Sequence, residues 1–157
     1  PARSGVQQVT GPTMFRRILV PYDGSKGAER ALYKAIELAK LCDSELVLLT
    51  IYRHHSLLEA SFSMVRPETP GNMDDIMRGH ASDVADYAKR LAVDAGIKPR
   101  AFVKAGQPAR GIVAFAAEHE VDLIVMGSRG LGSIEGYLLG SVSHKVTGLA
   151  NCPVMVV

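Results

Sequence analysis

Apolar residues along this chain fall into two rhythms. Short unbroken runs read as buried strands: "RILVPY" (Arg17 to Tyr22), "ELVLLTIY" (Glu45 to Tyr52), "VDLIVM" (Val121 to Met126) and "CPVMVV" (Cys152 to Val157). A further strand sits within "KPRAFVKAG", Lys98 to Gly106. Between the runs, apolar positions recur at helical spacing. Ala28, Ala31, Leu32, Ala35, Ile36 and Ala39 predict an amphipathic helix over Ser25 to Cys42, with Ser25 placed to cap it. Ile76, Val84, Tyr87, Ala88, Leu91 and Ala92 predict the apolar side of a long helix over Met73 to Ala95, weakened by Gly79 and stopped by Gly96. Pro108 suits the first turn of a helix reaching about His119. Val142, Val146 and Leu149 share one face of a short helix from Ser141 to Ala150.

The order is β-α-β-α-β-α-β-α-β. The strands are apolar throughout rather than alternating, as expected when helices cover both faces of a sheet. Right-handed crossovers then predict an α/β fold with a doubly wound parallel sheet. Such sheets bind ligands beyond the carboxyl ends of their strands, where the strand order switches. The first strand leads to Asp23 and the fourth to Gly127. If these strands are neighbours whose helices leave to opposite sides, the residues after the fourth strand line that crevice. Arg53 to Asn72 falls outside both rhythms; it contains "RPETPGN" and reads as a long functional or mobile loop.

Composition narrows the class. The 157 residues fit a single domain, and 47% apolar with 22% charged residues is a soluble globular balance. A net charge of +2, with no basic cluster interleaved with aromatics, makes no case for nucleic acid. No apolar run approaches a membrane span. Cys42 and Cys152 offer neither a disulfide framework nor a CxxC pair, and read as small buried hydrophobes in a reducing, cytoplasmic setting. "PARSGVQQVTGPT" lacks the apolar core of a signal peptide, and Met14 can serve as an initiator. Residues 1–13 therefore read as a flexible tail or expression remnant ahead of one domain over 14–157.

The stretch that carries chemistry is "VMGSRGLGSIEGYLLGSVSHKV", with glycines at 127, 130, 132, 136 and 140. A glycine-rich loop running into a helix start at Ser141 makes a phosphate site, because free N–H groups and the positive helix end face one point. Gly130 lets the backbone approach phosphate oxygens; Gly140 and Ser141 supply helix-start donors, and the Ser141 hydroxyl adds another. There is no GxxxxGK[ST], which excludes a P-loop. A dinucleotide fingerprint would follow the first strand, with an acid ending the second; "DGSKG" and Tyr52-Arg53 stand there instead. A phospho-accepting receiver would cluster acids beside the first strand, where only Asp23 is found. Asp23 alone could be a turn residue of the Asp-Gly pair, and the glycine stretch favours a ligand role. Ser25 reads as a cap rather than a nucleophile. Arg129 reads either as a phosphate contact or as an exposed loop arginine. His54 and His55 point opposite ways in an extended segment and read as loop residues; His119 and His144 read as surface positions near helix ends.

Gly127-x2-Gly130-x9-Gly140-Ser141 resembles the ATP-binding pattern of the universal stress proteins. "ILVPYDGS" is similar to that family's opening strand and "CPVMVV" to its closing one, so the resemblance runs from about Met14 to Val157. It implies a five-stranded Rossmann-like sheet of order 3-2-1-4-5, a homodimer, and a site for ATP (or AMP or ADP), with Mg²⁺ held mainly by the phosphates. It carries Asp23 over as the acid near the adenosine moiety and Ile51 as a backbone partner for adenine. Gly127 falls beside the ribose, and Gly130, Gly140 and Ser141 at the phosphates. Val142 stands where related chains offer a second hydroxyl, with only its backbone N–H to serve. Pro21, Ser25, Ser128 and Arg129, in the same matched stretches, complete the candidate set.

Three functions remain open on the sequence. One is a nucleotide-binding stress-response or signalling module whose interactions with an unidentified protein partner change with occupancy. Another is a slow ATPase or adenylate-transferring enzyme; with no committed base and no lysine in the phosphate loop, any hydrolysis should be slow, and no catalytic or metal-ligating residue is assigned. The last is a structural dimer with a vacant cleft. In the order 3-2-1-4-5, Val154 to Val157 form a bare apolar edge expected to pair with a second copy.

Overall fold

Ile18, Leu19 and Val20 are consecutive and fully buried, which a strand achieves only when both of its faces are covered. They form the centre of β1 (Arg17–Pro21) in a computed structural model that describes residues 14–54, 70–130 and 139–157. β1 pairs in parallel with β2 (Glu45–Tyr52) on one side and β4 (Leu123–Met126) on the other. β3 (Arg100–Ala105) and β5 (Val154–Val156) complete a five-stranded sheet of order β3-β2-β1-β4-β5. This is the Rossmann-like, doubly wound arrangement expected from the apolar runs.

Among the described residues, four helices cover the sheet: α1 (Lys26–Cys42), α2 (Pro70–Asp94), α3 (Pro108–Glu118) and α4 (Ser141–Leu149). Residues of α1 and α2 share one apolar core with Ile18, Val20, Leu46 and Leu48. Residues of α3 and α4 share the other with Leu19, Val47, Leu49 and Ile124. The alternation of these strand residues between two cores is the period-2 pleat, with a helical layer on each side. Ser25 caps α1, its Oγ accepting from the Ala28 N–H at 3.1 Å. Asp122 fixes the entry of β1, accepting from the Arg16 and Arg17 N–H groups at 2.7 and 2.9 Å.

Several details depart from the sequence-based expectation. The buried side of α2 is Ala81, Ala85, Ala88 and Ala92, whereas Ile76 and Tyr87 face solvent. Alanines at spacings of four, three and four form a stripe that lets the helix approach the sheet closely, which turns the larger residues outward. On α4, Leu149 is exposed and the buried pair is Ser143 and Val146. Cys42 and Cys152 are half-buried rather than core, lying at a helix end and ahead of an edge strand. β3 is not apolar throughout: as an edge strand it exposes Arg100, Ala101 and Lys104. His119 is not a plain surface residue; its ring stacks on Phe115 with centroids 3.8 Å apart and packs against Phe102. Among the described residues, no helix is long and apolar enough to cross a membrane. The expectations for residues 1–13, for His55 and for most of the Arg53 to Asn72 loop lie outside the described residues.

Candidate functional site

β1 ends at Pro21 and β4 at Met126, and the chain leaves them toward opposite faces of the sheet. The divergence opens a cleft of about 440 Å³ at their carboxyl ends. The sequence candidates Pro21, Asp23, Ser25, Ile51, Gly127, Arg129, Gly130, Gly140, Ser141 and Val142 all line it. Ser128 does not; it acts as a brace behind the cleft. Its N–H donates to the Val157 carbonyl at 3.0 Å, and its carbonyl accepts from the Gly140 N–H at 2.6 Å. Gly132 and Gly136 lie outside the described residues.

One wall of the cleft is apolar and ends in a peptide edge. The Tyr22 N–H donates to the Leu49 carbonyl, and the Gly106 N–H to the Tyr52 carbonyl, so Leu49 turns its polar backbone toward β1 and Tyr52 toward β3. Backbone groups alternate along a strand. Ile51 therefore turns its N–H and C=O to the β1 side, at a level beyond Pro21, the last residue of β1. The Thr50 hydroxyl, donating to the Tyr22 carbonyl at 2.8 Å, holds the end of β1 short of this position. Leu49, Ile112 and Met126 give the wall its apolar surface.

At the centre, Asp23 is held by a local turn. Its Oδ1 accepts from the Ser25 N–H at 2.9 Å, while its Oδ2 faces Gly130. The turn and cap roles of Asp23 and Ser25 are thus both realised, and they aim the carboxylate across the cleft. Tyr22 is buried beside it. Burial, and then the charge of Glu29, push its phenol up to about 12.

The other end of the cleft is lined by backbone. α4 starts at Ser141 with Gly140 as a cap that has no side chain to spend on the first-turn N–H groups. The buried Ser143 hydroxyl donates to the Gly127 carbonyl at 2.7 Å and ties the end of β4 to the first turn of α4. Arg129 and Arg53 bring positive charge to the lining, and Asp23 is its acid. A flat apolar wall with a donor–acceptor peptide edge, leading to a cluster of N–H groups, suits a ligand with a planar base and an anionic tail.

Sequence reasoning passed over Gly27, Arg53 and Ser143. Gly27 abuts Gly127 and the carbonyl of Arg129. A glycine in the first turn of an otherwise good helix, at a cost of about 1 kcal/mol against alanine, was its signal. Ser143 was hidden within an expected polar face, and Arg53 in a loop. His54 faces Asp74 at 3.6 Å and does not line the cleft.

The chain is matched by the family model described as "Universal stress protein family" over residues 14–157. It is 35% identical over 147 residues to universal stress protein YxiE of Bacillus subtilis, covering 92% of this chain and 99% of that one. Among solved structures, that of the hypothetical protein MJ0577 superposes with a TM-score of 0.79 at 30% identity, covering 92% of this chain and 96% of the other. A universal stress protein in complex with cAMP superposes with a TM-score of 0.69 at 25% identity, covering 92% and 97%. The strand order, the glycine spacing after β4 and these similarities agree: this chain belongs to the universal stress protein family.

Proposed function

We propose that the cleft binds an adenine nucleotide, ATP foremost, and that the protein is a cytoplasmic stress-response or signalling module whose partner interactions follow nucleotide occupancy. One observation carries the reading: the peptide edge of Ile51 and the uncapped start of α4 open onto the same cleft. A peptide N–H and C=O match the adjacent acceptor and donor on adenine's edge, and guanine presents a different edge. The N–H groups of Gly130, Ser141 and Val142 would receive the phosphates, with the Ser141 hydroxyl adding a donor; the Gly140 N–H, expected from the sequence as a further donor, is spent on the Ser128 carbonyl. Gly127 would lie beside the ribose and Asp23 near the adenosine. Pro21 and Ser25 shape the turn that carries Asp23, and Arg129 adds charge at the phosphate end. The cAMP complex of a related protein supports an adenine nucleotide as the ligand class.

Mg²⁺ would arrive on the phosphates, where it neutralises their charge. The protein's own share is to bind and orient the nucleotide through backbone donors, which fits a module that holds the nucleotide rather than one that turns it over. Two copies would associate through Val154 to Val157.

The test is nucleotide analysis of freshly purified protein, followed by calorimetric titration with ATP and GTP. The expected result is saturable ATP binding with GTP at least tenfold weaker, about 1.4 kcal/mol. Equal affinities would remove Ile51 as the reader of the base, and no binding of either would remove the function.

A further inference from the structure

Gly27 and Gly127 lie backbone against backbone. A Cβ on Gly27 would sit 2.5 Å from the Arg129 carbonyl oxygen. A Cβ on Gly127 would sit 2.6 Å from the Gly27 carbonyl carbon and 2.8 Å from its oxygen. Neither neighbour is a side-chain end that could swing away. The residues leaving β4 therefore rest directly on the first turn of α1, where Ser25 already caps the helix and Gly27 is buried.

The same residues are tied on their other side. Ser143 holds the Gly127 carbonyl, and the Gly140 N–H holds the Ser128 carbonyl. Residues 127–130 are thus clamped between the starts of two helices, α1 by steric contact and α4 by hydrogen bonds. Both α1 and α4 are anchored to the sheet by buried residues. The position of the phosphate-binding backbone is set by how closely the α1 turn allows it to approach.

We propose that Gly27 is a positioning residue for the nucleotide's phosphates: the missing side chain at 27 lets residues 127–130 settle against α1, in register with the α4 start. The base wall at Leu49, Ile51 and Ile112 stands on other elements and does not depend on this contact. A side chain at 27 would press on the Arg129 carbonyl, 2.5 Å from its Cβ, and leave the Gly127 Cα at an ordinary 3.8 Å, so it should penalise phosphorylated ligands far more than the nucleoside, whose ribose would lie at Gly127. The inference rests on the proposed adenine-nucleotide site. Its structural half, the seating of residues 127–130, is open to measurement without ligand.

The experiment compares Gly27→Ala with the parent in three readouts. Calorimetry with ATP should give at least a tenfold loss, while adenosine binding should change less than twofold. Amide resonances of Ser128, Arg129 and Gly130 should shift in the ligand-free variant. In the parent, the Gly27 amide should shift on adding ATP and stay in place with adenosine, a readout that survives a variant too unstable to purify. Unchanged ATP affinity in a folded Gly27→Ala, or equal losses for ATP and adenosine, overturns the proposal. So does a Gly27 amide that is blind to ATP. A parent that binds neither ligand overturns the nucleotide site itself. In that case unmoved Ser128 to Gly130 resonances in Gly27→Ala would overturn the seating as well.

Discussion

The Asp23 carboxylate lies against Gly130: a Cβ on Gly130 would stand 2.6 Å from Asp23 Oδ2. Oδ1 of the same carboxylate is held by the Ser25 N–H, so Asp23 is not at liberty to rotate away. Residue 130 is exposed, and substitution there leaves both cores untouched. Gly130→Ala should keep the fold and weaken ATP binding about tenfold, about 1.4 kcal/mol. Gly130→Asp should abolish binding, because it sets a second carboxylate beside Asp23 where phosphate oxygens would come. Calorimetric titration checks both; undiminished affinity in Gly130→Asp would move the phosphates out of this part of the cleft.

Ser143 is nearly fully buried, with its hydroxyl on the Gly127 carbonyl. Ser143→Ala leaves that carbonyl without this donor. That carbonyl is only partly buried, so the expected cost is about 1 kcal/mol, the low end for an unmet acceptor. Urea unfolding should show a lower midpoint with an unchanged slope. Ser141→Ala, two residues earlier and exposed at the cleft, should leave stability unchanged and instead weaken ATP binding. Reversal of the two phenotypes would interchange the structural and ligand roles assigned to these serines.

How much of this was legible in the sequence differs between the fold and the site. The central strands were legible because Ile18 to Val20 and Leu46 to Leu49 are buried on both faces, and an unbroken apolar run has few other uses. The edges were harder. β3 pairs along one side only and tolerates Arg100 and Lys104, so its apolar pattern is diluted. The inward stripe of α2 is built from alanines, which a reading that weights large apolar residues overlooks in favour of Ile76 and Tyr87. At the cleft, glycine spacing pointed to the loop after β4. What the loop rests on could not be read, because backbone-on-backbone contact between Gly27 and Gly127 leaves no side-chain signature across 100 residues of chain.

Tyr22 gives the protein an alkaline limit. Its phenol is pushed up to about 12, first by burial and next by Glu29, against an ordinary value of 10.0. A raised folded value means that the unfolded chain loses this proton first as pH rises. The stability contributed by neutral Tyr22 is therefore complete below pH 10 and declines as pH climbs toward 12. Tyr22→Phe cannot ionise and should lose less stability than the parent between about pH 9 and about pH 11. Urea unfolding of both proteins at the two values tests this; parallel losses would place the alkaline sensitivity at another group.

The edge of β5 sets the last expectation. Ile124 N–H donates to the Pro153 carbonyl, and Val157 N–H to the Met126 carbonyl. Residues 153, 155 and 157 therefore turn their polar backbone groups toward β4, and Val154 and Val156 turn theirs to the open side. An open apolar edge of this kind invites a second strand, and a two-fold copy of the same strand is the closed solution. The side chains are ready for burial as well: Val154 through Val157 are all only partly covered in the single chain. Proline removes an N–H, so its position decides which ladder it breaks. At Met155 it would strike the pairing with β4 and damage the fold itself. At Val156 it removes a donor from the open edge and spares β4. The parent is expected to be a dimer and Val156→Pro a folded monomer, read by light scattering after size exclusion at micromolar protein. A parent that elutes as a monomer would refute pairing through β5, and a Val156→Pro dimer of unchanged stability would place the contact between copies on another surface.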